Sequence, residues 1–450
     1  MPSPSGPAPS GRTPACPDGA RAAGGAPRTD EARPAGYRAV FAVHEFRYVF
    51  AAHLLSSLGV VVCELALSVL VFRITASPLL SALTFALGLL PYAVGGTLLS
   101  AVADRCPARR VLVVCDLLCA LAAAGMVLPG MPVAVLLALR CVLAAIAPVF
   151  AGTRAATLGE TLGEGELFVL GRSVIRLVNQ GAQLAGFAAG GLLLAAVTPR
   201  AVLALTAGTF LASALLLRLG TRARPARRGV RGALLGASLG GVRRLLADRR
   251  VRALLLLTWL PPAFVVVPEA LLVPYSGLLG VGPAGTGLLL CSMPIGAVVA
   301  ESLVGAFLGP RARARLTFPM GVFAVLPSLG FAARPSLGWA VLLLVLTGTG
   351  ISYNFGVDRW FVAAVPEELL GQAMTVMQAG RMTVMGLAMG LAGVAAQWAP
   401  LRVVMPAAGV VGAVCVLAVI REVRRTAPGP DRASAGPVRG VAWPAAGTEK

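Results

Sequence analysis

The chain predicts an all-α integral membrane protein, with twelve transmembrane helices in two pseudo-symmetric six-helix bundles. Three observations predict it. First, 57% of the 450 residues are hydrophobic and 13% charged, with a mean hydropathy of +0.82; soluble chains carry about 45–50% apolar and about 25% charged residues. Second, the apolar residues collect in blocks near the roughly 20 residues that a membrane helix needs. Third, the arginines concentrate in alternate connections between those blocks.

In chain order, residues 1–36 are Pro, Gly, Ala, Ser and Arg with almost no large apolar side chain. Such a composition cannot bury a core, and 1–45 is expected to be a disordered segment. The apolar blocks follow at 48–72, 79–102, 111–128, 132–152, 173–197, 201–218, 253–275, 285–308, 316–333, 337–364, 372–397 and 401–420. The first two are split by the polar turn Arg73–Pro78 and the next two by Pro129-Gly130-Met131-Pro132, both built from turn formers. Residues 219–252, rich in Arg and Gly, form the one long break, and 421–450 reads as a disordered tail.

Connections after even-numbered blocks hold Arg105, Arg109 and Arg110, then Arg154, then the run from Arg218 to Arg252, then Arg311, Arg313 and Arg315. Those after odd-numbered blocks hold at most one arginine each. The positive-inside rule then places both termini and the 219–252 linker in the cytoplasm of a cell inner membrane. The linker separates bundles at 46–218 and 253–420, each with a basic loop at the same offset. A six-helix repeat of this kind is the mark of a transporter built from two related halves.

Other classes are excluded. The net charge of +20 comes with only 6% aromatics, most of them inside the apolar blocks, so nucleic acid is not expected as a partner. Eight cysteines without a C-x-x-C pair and two histidines offer no metal site, and no cofactor is expected. No G-x-x-x-x-G-K-[ST] loop is present for ATP, and no nucleophile–histidine constellation suggests an enzyme. The expected partners are the lipid bilayer, a small-molecule substrate and protons, with the monomer as the functional unit.

The loop after the second block reads Ser100-Ala101-Val102-Ala103-Asp104-Arg105-Cys106-Pro107-Ala108-Arg109-Arg110. It resembles the G-x-L-a-D-R-x-G-R-R motif of the major facilitator superfamily, with Ser100 and Pro107 in place of its glycines. The resemblance implies a latch between helices formed by Asp104, Arg105, Arg109 and Arg110 through charge-assisted hydrogen bonds. Gly186-Phe187-Ala188-Ala189-Gly190-Gly191 is similar to the antiporter motif G-P-x-x-G-G, with Phe187 where proline is usual. Phe46-Arg47, Ser57-Leu58-Gly59, Thr75-Ala76-Ser77-Pro78, Val114-Cys115-Asp116-Leu117, Val267-Pro268-Glu269 and Val365-Pro366-Glu367-Glu368 look like the branch that holds macrolide-efflux and enterobactin-exporter-like proteins.

Charges inside the bilayer are costly unless paired or hydrated, and so mark function. They are Glu64, Asp116, Arg140, Glu269, Glu301, Asp358, Arg359 and Arg381. Glu64, Asp116, Arg140, Glu269 and Asp358 are the candidates for proton coupling. Arg140 has the spacing from Asp104 of the helix-four arginine in the superfamily, which implies proton sensing beside a carboxylate. Glu64 takes a proton on one side and releases it on the other, or else forms an ion pair with a neighbouring arginine. Pro261-Pro262 predicts a discontinuous seventh helix, and Arg381 is a candidate partner for Asp358. Asn179, Gln180, Gln183 and Arg381 are candidate cavity residues; the amides serve a substrate or hydrogen-bond between helices. The resemblance implies export of a hydrophobic or amphipathic small molecule driven by proton entry, with an importer or a non-transporting sensor on the same fold as alternatives.

Overall fold

The structure is a computed structural model and describes residues 37–95, 106–162, 166–222 and 242–426. A short helix α1, Tyr37–Ala42, leads into α2, His44–Thr75. The second span begins as α3, Pro78–Leu89, and α4, Pro91–Val94. Then come α5, Ala108–Val127; α6, Val133–Leu162; α7, Glu166–Ala196; and α8, Pro199–Gly220. The second half holds α9, Arg249–Leu278; α10, Pro283–Phe307; and α11, Pro310–Phe323, which passes into the 3₁₀ segment Leu326–Ala333. It continues with α12, Leu337–Gly350, and α13, Asn354–Ala364, joined by a 3₁₀ turn, and ends with α14, Leu370–Trp398, and α15, Leu401–Arg425. Ten spans among the described residues are long and apolar enough to cross a membrane. The α3–α4 segment and the 31-residue α7 fill the other two places in a twelve-helix membrane fold.

Local sequence sets the helix starts. The side chain of Ser77 accepts from the Leu80 N–H, with Pro78 in the first turn, and Thr198 accepts from Ala201 before Pro199. Asp248 caps α9 by accepting from Arg250 and Val251. Each cap satisfies an N–H that has no partner within its helix.

Several sequence expectations are corrected. Helix begins before residue 46, at Tyr37, and Val40 and Phe46 are buried in a small apolar cluster with Leu158, Leu162 and Val174. At the other end, α15 continues to Arg425. Within the expected linker, 242–247 is helical and α9 begins at Arg249; residues 223–241 lie outside the described residues. Helix α6 runs ten residues past its apolar block, so Arg154 is a helix residue and not a loop residue. The seventh span is continuous despite Pro261, Pro262, Pro268 and Pro274. It is the most enclosed of the ten apolar spans among the described residues, 72% buried over its most apolar window, and such packing tolerates prolines that would break an isolated helix.

Helix α2 packs on α7 and α8, and α8 on α5; in the second half α9 packs on α14 and α15. Two pairs make most of the contact between the halves: α3 with α14, and α7 with α10. These are spans two with eleven and five with eight, so exchanging the halves converts one pair into the other. The seams are tight at the end of the molecule away from the linker. There Gly191 of α7 and Gly287 of α10 meet backbone to backbone, and Gly386 and Gly393 of α14 face Leu90, Ala82 and Leu79.

Candidate functional site

Between the halves, on the linker side of those seams, lies a cavity of about 430 Å³. Helices α2 to α7 supply most of its wall, and the second half contributes Glu269, Met385 and Met389. The wall is largely apolar, with Phe85, Leu89, Ile146, Phe150 and Phe187, and its polar groups fall into two layers.

The deeper layer holds Glu64 and Glu269. Glu64 Oε1 lies 2.8 Å from Arg140 Nη2, with side chains 18% and 4% exposed, which forms an ion pair between α2 and α6. Gly88 of α3 makes room for it: a Cβ there would overlap the Arg140 guanidinium and stand 3.0 Å from the Glu64 carboxylate. Glu269 is 8% exposed and within electrostatic range of Glu64. Among the described residues no cation pairs with it.

The second layer lies toward the linker end, at His53, 11 residues from Glu64 and so about 16 Å along α2. The hydroxyls of Ser56 and Ser213 donate to the two carboxylate oxygens of Asp116, at 3.0 and 2.5 Å. Asp116 is 1% exposed, and Arg154 lies within its electrostatic range. Arg154 packs 4.3 Å over the Phe150 ring and donates to His53, whose Nδ1 also lies 3.0 Å from the Ser57 hydroxyl. Asn179 lines the cavity beside the same imidazole. This network holds His53 as a satisfied polar group.

The predicted site residues therefore separate. Glu64, Asp116, Glu269, Asn179 and Gln183 line the cavity, and Arg140 supports Glu64 from behind. Gln180 lies away from it and donates across the halves to Glu301 of α10 at 2.8 Å. Arg381 is also outside the lining, donating to Gln378 at 3.0 Å; both it and Asp358 lie within electrostatic range of the buried Tyr353. Arg109 donates to the Arg218 carbonyl, which ties α5 to α8, and Arg110 is exposed. Asp104 and Arg105 lie outside the described residues. Sequence reasoning missed Arg154, Ser56, Ser213, Tyr92 and Gly88. Only Arg154 carried a signal, as an arginine eight residues upstream of the helix end with aromatic Phe150 one turn before it.

The family model described as "Major Facilitator Superfamily" matches residues 49–358, more than half of the chain. The chain belongs to the major facilitator superfamily. No curated protein matches it significantly. Among solved structures, a point mutant of the nucleoside transporter NupG superposes with a TM-score of 0.68 at 13% identity, covering 83% of this chain and 99% of that one. A bacterial homologue of the human lysosomal transporter Spinster, described as inward-facing and unoccupied, gives 0.64 at 16% identity over 86% and 99%. The xylose transporter XylE from E. coli, described as inward open, gives 0.63 at 13% identity over 85% and 96%. At these identities the likeness is one of fold. This superfamily member is a multi-pass membrane transporter with a small-molecule substrate.

Proposed function

We propose that this transporter is a proton-coupled exporter of a hydrophobic or amphipathic small molecule, working as a monomer by alternating access in the inner membrane. The observation that carries the reading is the cavity between the halves, which combines apolar walls with buried carboxylates and is closed at the end away from the linker. Apolar walls with few polar anchors suit a lipophilic substrate. A buried carboxyl is costly when charged without a partner and inexpensive when protonated, so the two orientations of the cavity favour different protonation states.

With the arginine-rich end in the cytoplasm, the conformation is inward-facing, the same sense in which the Spinster homologue and XylE structures are described. Glu64, held by Arg140, is the coupling group; Asp116 and Asp358 are secondary acids, and Asp104 with Arg105, Arg109 and Arg110 forms the latch of the opposite state. The direction rests on the resemblance of the Gly186–Gly191 stretch and the other motifs to the macrolide-efflux branch. Everted membrane vesicles test it. A substrate panel that includes macrolides and siderophores should yield a compound that accumulates when the vesicle lumen is acid and leaks when the gradient is collapsed. Accumulation only with the opposite gradient would make the protein an importer.

A further inference from the structure

The start of α9 and the end of α15 meet on the linker side, and together they carry an excess of arginine. Arg249 Nε donates to Glu422 Oε1 at 2.5 Å, and Arg250 Nη1 donates to the Thr426 carbonyl at 2.5 Å, which sets one helix end beside the other. The helical segment 242–247 is fixed to the same place. Its Leu245 is buried with Val251 and Val423, and Arg252 Nη1 donates to the Leu246 carbonyl at 3.0 Å. Arg252 and Arg425 both lie within electrostatic range of Glu422, so three guanidiniums surround one carboxylate. The other nearby acid, Asp248, is engaged in capping α9.

The arginine bias of cytoplasmic loops acts on both halves, yet the same place in the first half does not repeat this excess. Residues 44–47 and 218–222 carry three arginines and one glutamate, against six arginines and two acids in 248–252 and 421–425. In the first half Glu45 accepts the Arg222 N–H at 3.1 Å, and Arg109 takes the Arg218 carbonyl. The level in the membrane also matters. Arg425 stands five residues beyond Ile420, where one apolar block ends, and Arg249 four residues before Ala253, where another begins. At 1.5 Å per residue they lie about 6–8 Å outside the hydrocarbon, within a headgroup layer about 5–8 Å thick on each side. Next to them runs an exposed apolar stripe: Val410, Val414 and Leu417 share a face of α15 with Arg421, and Arg425 follows one turn on.

We infer that the joined ends of α9 and α15 form a binding site for an anionic phospholipid of the leaflet on the linker side. Arg252, Arg421 and Arg425 hold its phosphate, and the α15 stripe receives an acyl chain. Guanidinium forks match phosphate oxygens, and Glu422 offsets only one of the three cations around it. The stripe selects a lipid over a free anion, because only a lipid brings apolar surface to cover it. The bound headgroup bridges α9, α15 and the segment 242–247, and so fastens the far end of the linker to the second bundle. The site rests on the membrane fold and is independent of the direction and coupling of transport.

The whole chain, purified in a neutral detergent, is titrated with phosphatidylglycerol, with phosphatidylcholine of the same acyl chains, and with inorganic phosphate. Bound lipid is counted by native mass spectrometry, and the denaturation midpoint is followed in parallel. Phosphatidylglycerol should bind in preference to phosphatidylcholine and raise the midpoint; inorganic phosphate at the same concentration should not raise it. An arginine near anionic headgroups contributes about fivefold in affinity, so Arg252→Gln with Arg425→Gln should weaken phosphatidylglycerol binding by about tenfold or more. Arg252→Lys with Arg425→Lys should lose less. Arg47→Gln with Arg222→Gln, the same charge change at the first half, should leave binding unchanged. Equal binding of the two lipids, or unchanged binding in the second-half glutamine pair, would overturn the inference. So would an equal rise of the midpoint with inorganic phosphate, which marks a free-anion site, or an equal loss in the first-half pair, which marks a general effect of net charge. If the second-half glutamine pair does not fold, the exposed Arg421→Gln decides, with an expected loss of about fivefold.

Discussion

The buried pair of Glu64 and Arg140 gives the sharpest test of coupling. Glu64→Gln keeps the size of the side chain and fixes it neutral, as a protonated glutamate would be. It leaves the Arg140 guanidinium, 4% exposed, without its counter-charge, and among the described residues Arg140 Nε already lacks an acceptor. Removing one member of a buried pair costs about 3–5 kcal/mol. The glutamine oxygen remains an acceptor at the 2.8 Å contact and returns about 1 kcal/mol. A net loss of about 2–4 kcal/mol should thus appear as a lowered denaturation midpoint in detergent. Arg140→Gln should cost a similar amount for the opposite reason. The double variant Glu64→Gln with Arg140→Gln, which contains no unpaired charge, should be more stable than either single variant. In everted vesicles, Glu64→Gln should still equilibrate substrate down its gradient but lose uphill accumulation and its dependence on lumenal acid. The double variant should also be uncoupled, which separates coupling from stability. Accumulation against a gradient with unchanged pH dependence in Glu64→Gln would refute Glu64 as the coupling group. A double variant no more stable than the singles would refute the energetic account of the pair.

Gly88→Ala should push a methyl group into the Arg140 guanidinium and cost about 1–3 kcal/mol as overpacking, whereas Gly152→Ala, with nothing within 4 Å, should leave the denaturation midpoint unchanged. Asp104→Asn should reduce transport while membrane insertion stays normal, read as altered labelling of cysteines placed at the two mouths of the cavity; wild-type transport and labelling would remove the latch. Reporter fusions after Arg110, within 223–241 and after Arg425 should report cytoplasm, and one at Thr198–Arg200 the outside; an external linker would overturn the arginine-based orientation.

The sequence made the membrane fold legible because hydropathy blocks and loop arginines report single-helix properties. The same logic failed where a helix outruns its apolar block. Arg154 reads as a loop residue by hydropathy, yet α6 carries it on for a further two turns, and Thr157 and Thr161 turn their hydroxyls onto the carbonyls four residues back. The prolines of α9 misled for a related reason: whether a freed carbonyl breaks a helix is decided by the neighbours that enclose it. In the site, the acids were legible as costly charges, but their partners were not. Glu64 and Arg140 are far apart in sequence, and Ser56 and Ser213 are ordinary helix serines until Asp116 is brought between them. Gln180 shows the limit most plainly, since an amide on a polar helix face can turn to a cavity or to a neighbouring helix, and Glu301 of the opposite half decides it.

The distribution of polar and apolar contacts between the halves bears on how they can move. At the closed end the seams are glycine backbones and small apolar side chains: Gly191 on Gly287, Gly386 on Ala86 and Leu90, Gly393 on Leu79 and Ala82. Close packing of this kind is held by many weak dispersion contacts, and separating it gives up little hydrogen bonding: the thiol of Cys291 donates weakly to the Leu184 carbonyl across the seam at 3.3 Å. The Gln180–Glu301 bond, by contrast, lies about midway along α7, 14 residues from its start. Breaking it in the membrane would leave a carboxyl and an amide unsatisfied together, a cost that falls on any motion pulling α7 from α10 at that level. The low-cost motion is therefore a rocking about the Gln180–Glu301 level: the glycine seams part at the far end while this bond persists. The deep carboxylates Glu64 and Glu269 lie on the far-end side of that level. Parting the seams would expose them to the opposite side of the membrane, as exchange of a proton for substrate requires.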